Sequence, residues 1–132
     1  MDTQTLEYFT AIIQQATTLF ARVEQTIDTT PERAILRLQA MYGNYCLYIT
    51  ELVDRERRKY RYYALKGEYV VVGFDNSPDP RAIRLKYGQI GEHADEYIPH
   101  CHEQNKTVLR LTEPLDFSSF VAWLQSHLPI ED

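Results

Sequence analysis

The chain has 132 residues, of which 44% are hydrophobic and 25% charged, and its formal net charge is −5. This length and composition predict one soluble globular domain whose core needs neither a metal nor a disulfide. They exclude a membrane-spanning helix, because no apolar run approaches the ~20 residues that a bilayer requires, and a uniformly basic nucleic-acid coat.

Apolar residues from Leu6 to Ile27 recur at steps of three and four. This spacing predicts an amphipathic helix within residues 1–30, which Thr29-Thr30-Pro31 brings to an end. Packing against a core is its expected role, although part of such a broad apolar stripe could also meet a partner chain.

Two β-hairpins follow. Residues 34–53 alternate apolar and polar side chains around the turn Gly43-Asn44. A central hairpin joins Lys59–Leu65 to Tyr69–Phe74 through the turn Lys66-Gly67, and its arms are rich in tyrosine and valine. Short connections between four such strands predict an antiparallel meander.

Residues 77–99 contain prolines and glycines among charges, and we expect a long loop there that is functional or mobile. Residues Thr107–Thr112 predict a fifth strand, and Asp116 caps a C-terminal helix within 115–128. We therefore predict a single α+β domain over 1–132. Its antiparallel sheet of about five strands occupies 33–112, and the N-terminal and C-terminal helices cover one face.

Positive charge is concentrated in the middle of the chain. Nine of the fourteen lysines and arginines fall between Arg55 and Lys86, against four acidic residues. The basic run Arg57-Arg58-Lys59 and this imbalance favour a local anion site on an acidic body. The simpler interpretation is a solvated strand face whose charges pair with acids elsewhere.

The two cysteines form no metal or redox motif with each other, and the N-terminus lacks the positive region of a signal peptide. We expect a cytoplasmic protein with reduced thiols at Cys46 and Cys101. In an extended segment, Cys101 should face away from the histidines on either side of it, which argues against a cysteine–histidine nucleophile pair.

His100 and His102 should point to the same side of that segment. Two imidazoles so placed can act as general acid and base near neutral pH. They could instead ligate a metal with Asp75, His93 or Glu103, although a lone His-x-His lacks the spacing of a zinc signature, or simply make polar surface contacts.

Arg61 lies between Tyr60 and Tyr62 on the first arm of the central hairpin. Cleavage of RNA through its own 2′-hydroxyl requires a base, an acid and a cation that stabilises the phosphorane charge, and tyrosines can stack on bases. At the end of the second arm, Asp75-Asn76 either closes an Asx turn or orients a histidine and binds a ribose hydroxyl.

Together these segments resemble the TumE-like toxins of type II toxin–antitoxin modules. The resemblance covers about residues 36–128. It is carried by a tyrosine-rich strand, a strand that ends in Asp-Asn-x-Pro, a Pro-His segment and a closing helix: Val53-Asp54, Tyr60-Arg61-Tyr62-Tyr63, Gly73-Phe74-Asp75-Asn76-Ser77-Pro78, Pro99-His100-Cys101-His102 and Glu113-Pro114.

The resemblance implies an RNA-directed toxin whose partner is a protein antitoxin of helix-turn-helix type. Since cleavage through the 2′-hydroxyl needs no metal, we expect a small ribonuclease without metal or other cofactor. The resemblance implies the following roles: His100 and His102 as acid and base, Arg61 as phosphate clamp, Tyr62 in stacking or proton transfer, and Asp75 as orienting carboxylate. Residues expected to bind phosphate or RNA are Arg57, Arg58, Lys59, Tyr60 and Asn76.

The chain departs from the family pattern in four places. Asp79-Pro80 stands where the family has histidines, Cys101 replaces one histidine of the second cluster, the loop to Pro99 is longer, and the N-terminal helix is unusually long. The alternative function is a non-catalytic protein-interaction module. Such a module could bind a partner or a second copy of itself. A phosphoryl transferase ranks last, because the sequence has no glycine-rich phosphate loop.

Overall fold

A seven-stranded antiparallel sheet forms the centre of the protein, whose structure is a computed structural model that describes residues 2–130. The strands lie in the sheet in chain order, so the sheet is a meander. They are β1 (Ala21–Thr29), β2 (Arg33–Tyr42), β3 (Tyr45–Asp54), β4 (Arg58–Lys66), β5 (Tyr69–Asp75), β6 (His100–Glu103) and β7 (Val108–Leu111).

Three α-helices accompany the sheet: α1 (Thr3–Leu19), α2 (Pro80–Tyr87) and α3 (Phe117–His127). The α+β class and the terminal helices are thus confirmed, while the sheet has seven strands rather than about five. No helix within residues 2–130 combines the length and apolar composition that crossing a membrane requires.

The N-terminal helix is shorter than predicted, and this accounts for one additional strand. It ends at Leu19, and Phe20 is already extended. Residues Ala21–Thr29 form β1, which pairs with β2. Val23 and Ile27 mimic helical spacing, but threonine and β-branched residues around them favour a strand once β2 offers a hydrogen-bonding edge.

One face of the sheet, here called the helix face, carries the main core. Alternate residues of the central strands point to it, among them Leu38, Ile49 and Phe74. The helices α1 and α3 both pack there, as expected, through these buried residues: Phe9, Ile12, Ala16, Phe120, Val121 and Leu124. Cys101 of β6 also belongs to this core.

The opposite face, here called the site face, is covered only in part. The helix α2 packs on it at the β6–β7 end through Ala82 and Ile83, which form a small cluster with Ile98 and Leu109. The expected loop over 77–99 is thus wrong in part, because Asp79 caps α2 and Pro80 occupies its first turn. Parts of the site face over β1–β3 are exposed, as Arg37, Gln39 and Tyr48 show.

Candidate functional site

The register of three adjacent strands brings the predicted site residues together on the site face. Arg61 of β4 lies opposite Asp75 of β5, and Asp75 lies opposite His100 of β6. One step along the strands, Tyr63, Gly73 and His102 form the next row. Side chains two apart share a face, so both imidazoles stand beside the carboxylate and the guanidinium.

Asp75 is buried and held from two sides. Its Oδ1 accepts hydrogen bonds from the backbone N–H and the hydroxyl of Ser77, at 2.7 and 2.5 Å. Its Oδ2 lies 3.3 Å from Nε of Arg61, whose side chain is 49% exposed. The Asx turn, one of the two interpretations of Asp75-Asn76, is therefore present, and the same carboxylate faces Arg61.

His100 has only 1% of its surface exposed. Its Nδ1 donates a 2.7 Å hydrogen bond to the carbonyl oxygen of Ile98, because a carbonyl can only accept. In the neutral ring, Nε2 then carries a lone pair. Within residues 2–130 this nitrogen is buried without a hydrogen-bond partner, and Oδ2 of Asp79 lies 3.8 Å from it.

His102 is also buried, and its ring lies 4.9 Å from that of His100, edge to face. Its Nδ1 accepts a hydrogen bond from Nη2 of Arg81 at 3.3 Å, since arginine can only donate. Burial, and after it the neighbouring His100, lowers the pKa of His102 to about 4. The ring is therefore neutral at pH 7.

The two imidazoles and Asp75 form a close cluster, in which one ligand atom from each residue lies within 4.8 Å of the others. Asp79 closes the cluster from the α2 side. Its Oδ1 accepts from the backbone N–H of Arg81 at 2.8 Å, and its Oδ2 lies 3.8 Å from Nε2 of both histidines. Two carboxylates and two imidazoles thus converge.

Two cationic side chains lie next to this cluster, beside Tyr63. The guanidinium of Arg61 and the ammonium of Lys106 lie 5.0 and 5.1 Å from the ring centre of Tyr63. Tyr63 lies flat over Gly73, where a Cβ would come within 2.7 Å of the ring. Gly73 is thus the residue that lets Tyr63 reach across to His102.

A shallow cleft of about 400 Å³ adjoins the cluster on the open part of the site face. Tyr48, which is 44% exposed, forms one wall. The other lining residues come from β3, β4, β5 and the turn after β6: Thr50, Arg61, Tyr63, Leu65, Val70 and Lys106. The cleft offers aromatic and cationic groups beside the imidazoles.

Tyr62, predicted to transfer a proton or stack at the site, lies on the helix face instead. Its hydroxyl donates to Glu51, which is fully buried, and accepts from Nη2 of Arg58 at 2.6 Å. Burial and the Glu51 charge raise the pKa of Tyr62 far above its ordinary value. The tyrosine that shares a face with Arg61 is Tyr63, one residue later.

The expected phosphate-binding run is corrected at Arg58. Arg58 points to the helix face, where it pairs with Glu51 at 2.8 Å and donates to the carbonyl of Leu115 at 2.7 Å. Arg57 stacks on Tyr97, with 4.0 Å from its guanidinium carbon to the ring centre. Of the three basic residues, only Lys59 shares the face of Arg61, by register.

Tyr60 and Asn76 have structural positions. Tyr60 is buried on the helix face, and its hydroxyl accepts a hydrogen bond from the backbone N–H of Leu115. The amide of Asn76 bridges the backbone of β4, accepting from Tyr60 N and donating to Arg58 O, both at 2.9 Å. Neither side chain is available to stack on a base or bind a ribose.

The other ligands considered for a metal lie elsewhere. His93 stacks on Tyr87 and contacts Glu96 at 2.8 Å, and Glu103 pairs with Arg110. Both cysteines are free, and burial raises the pKa of the Cys101 thiol, on the helix face, to about 11.

Sequence reasoning missed Asp79, Arg81 and Lys106 at the site. The signal for Asp79 was present, because Asp-Pro at the start of a polar segment is a typical helix beginning. Lys106 follows Gln104 and Asn105 in a left-handed turn between β6 and β7, and a turn of that shape gives no sequence pattern for a site.

Comparison with family models, with curated proteins and with solved structures finds no match in any of the three.

Proposed function

We propose that this chain is an RNA-cleaving toxin of a toxin–antitoxin pair, with its active site at Asp75, His100, His102 and Arg61. The observation that carries the proposal is the convergence of these four side chains from three strands beside an open cleft. The sequence resemblance to TumE-like toxins supports the same residues, apart from Tyr62.

The chemistry suits a phosphodiester. The Arg61 side chain is half exposed at the edge of the cluster, where it can contact the non-bridging oxygens that gain charge during cleavage. Nε2 of His100, which has no hydrogen-bond partner within residues 2–130, is the proton acceptor for the ribose 2′-hydroxyl. Asp75 orients the guanidinium through its 3.3 Å contact.

The adjoining cleft suits a single RNA strand. Tyr48 and Tyr63 present aromatic groups, and Arg61 and Lys106 place positive charge beside them. Stacking of bases on tyrosine combined with cations along the backbone is the common way to hold unpaired RNA.

One observation favours a second candidate, a non-catalytic interaction module. The edge strand β1 is exposed along nearly its whole length, including Ile27. An exposed edge can pair with a strand of another chain. In a toxin the same edge is available to the antitoxin, so this observation is compatible with both candidates.

Inducible expression in a bacterial host tests the proposal. Wild-type protein should stop growth, and the purified protein should cleave single-stranded RNA. Arg61→Ala and His100→Ala should abolish both effects while circular dichroism shows an intact fold. The matched control is Arg57→Ala, which removes an arginine that stacks on Tyr97 and is not a member of the cluster. Unchanged toxicity and cleavage in both site variants would overturn the proposal.

A further inference from the structure

We propose that the cluster is a binding site for one divalent first-row transition-metal ion, held by His100, His102 and Asp75 with Asp79 as fourth ligand. This deepens the proposed function and replaces the metal-independent chemistry expected from the sequence. Its catalytic consequence rests on the proposed function, but the binding itself does not.

The strongest observation is the orphaned nitrogen of His100. Buried polar atoms nearly always have partners, and Nε2 of this buried ring has none within residues 2–130. The hydrogen bond from Nδ1 to Ile98 directs the lone pair of the neutral ring at Nε2 into the cluster. A backbone carbonyl behind a histidine is the usual support for a metal-ligating imidazole.

The carboxylates are supported in the same way. Asp75 is fixed by both bonds from Ser77 at Oδ1, which leaves Oδ2 directed to Arg61 and the cluster. Asp79 is fixed through its N-cap bond at Oδ1, which leaves Oδ2 equidistant from the two imidazoles. Each carboxylate thus has one oxygen held by hydrogen bonds and one that faces the cluster, and the second oxygen of Asp75 also contacts Arg61.

The distances suit a site that closes slightly on its ion. Ligands about 2.0–2.2 Å from a tetrahedral ion lie roughly 3.4 Å from one another. The separations here are 3.8 Å for the two Asp79 contacts, and at most 4.8 Å among Asp75, His100 and His102. Movements of about 1 Å by the ligand atoms would bring them to the distances of a coordinated ion.

The donor set selects the class of ion. Two imidazole nitrogens and carboxylate oxygens suit Zn²⁺, Mn²⁺ or Fe²⁺, whereas Mg²⁺ and Ca²⁺ prefer oxygen ligands alone. No thiolate takes part, because Cys101 points to the helix face. An ion here would act as a Lewis acid on the phosphate that Arg61 contacts.

Arg81 restrains the site in the absence of an ion. Its Nη2 donates to Nδ1 of His102, and its Nη1 donates to the carbonyl of Lys106 at 2.9 Å. This bond places the proton of the neutral His102 ring on Nε2, facing Asp79. Coordination at either nitrogen of His102 therefore requires Arg81 to withdraw, and the half-exposed arginine has room to do so.

Calorimetric titration of chelator-treated protein with Zn²⁺ tests the proposal. Wild type should bind one ion per chain. His102→Ala and Asp79→Asn should bind at least about tenfold more weakly. Asp79→Asn keeps a side chain that can cap α2, so it remains informative if a histidine variant fails to fold. Arg81→Met should bind more tightly than wild type. His93→Ala and His127→Ala are matched controls that should bind as wild type does.

Binding of Co²⁺ should give a spectrum of nitrogen and oxygen ligands without a thiolate charge-transfer band. Equal affinity of Zn²⁺ for wild type, His102→Ala and Asp79→Asn would overturn the metal site, as would no binding by wild type. The RNA assay with and without chelator separates the two proposals. Cleavage without any metal binding leaves the proposed function and removes the metal site. Metal binding without RNA cleavage leaves the metal site and removes the proposed function.

Discussion

The Nδ1–H of His100 donates to the carbonyl oxygen of Ile98 at 2.7 Å, and this single bond fixes how the ring faces its neighbours. Ile98 itself is buried beneath α2, so its carbonyl has little access to water. The bond therefore has two consequences: it satisfies a buried acceptor, and it directs Nε2 towards Asp79.

These two consequences can be separated by substitution. Asn at position 100 places an amide N–H near the former Nδ1 and can keep the bond to Ile98, whereas Ala leaves that carbonyl unpaired at a cost of about 1–3 kcal/mol. We expect His100→Asn to unfold in urea closer to wild type than His100→Ala does. Both should lose RNA cleavage by about 100-fold or more, because both lack Nε2. Retained cleavage in His100→Asn would contradict this role.

Loss of the hydroxyl should affect mainly stability at Tyr62 and mainly RNA cleavage at Tyr63. Tyr62→Phe removes a donor from buried Glu51 and should lower the free energy of unfolding by about 1–3 kcal/mol. Tyr63→Phe keeps its ring over Gly73 and should change stability less. It should lower cleavage more, since its hydroxyl belongs to the site face beside Arg61. Urea denaturation and RNA cleavage of both variants check the contrast.

Gly73 should be required for the position of Tyr63. In Gly73→Ala the new Cβ meets the Tyr63 ring at 2.7 Å, so the ring must leave its present position beside His102. We expect lower stability and lower cleavage. The double variant Gly73→Ala/Tyr63→Ala removes the clash, and its stability loss should be smaller than the sum of the single losses. Additive losses would show that the ring and the glycine are independent.

The sequence was sufficient to predict the pairing of His100 with His102 and the separation of Cys101 from both, because strand alternation is local. It was insufficient to predict whether Tyr62 or Tyr63 shares the face of Arg61. The choice between them depends on which face of β4 the helices cover, and both faces of that strand carry tyrosine and arginine. Burial of Arg58 with Glu51 is a long-range pairing that local patterns do not reveal.

The boundary at Leu19 illustrates the same limit. Val23 and Ile27 continue the apolar spacing of α1, and only the hydrogen-bonding edge of β2 makes a strand of them. In the same way, the sequence around Asp79 indicates a loop. Its position above the two imidazoles follows from α2 packing on β7, a contact between distant parts of the chain.

The ion pair of Arg58 with Glu51 should stabilise the fold rather than bind RNA. Arg58→Met would leave the carboxylate of Glu51 buried without its cation, and such a change typically costs about 3–5 kcal/mol. Arg57→Met, the neighbouring control, should change stability by less than about 1 kcal/mol. Neither variant should weaken RNA binding by the fraction that remains folded. Weaker RNA binding by folded Arg58→Met would show that Arg58 does contribute to RNA binding.

Base stacking in the cleft should depend on Tyr48. In the inactive His100→Asn background, Tyr48→Ala should weaken binding of a short fluorescent single-stranded RNA by about 1–3 kcal/mol, the usual contribution of one stacked base. Tyr69→Ala is the matched control, because Tyr69 is exposed to a similar degree, 48% against 44%, but does not line the cleft. Fluorescence anisotropy at fixed salt gives both affinities. Since salt weakens phosphate contacts more than stacking, the difference between the two variants should persist as the salt concentration rises. Equal losses in the two variants would mean that RNA, if it binds, does so away from this cleft.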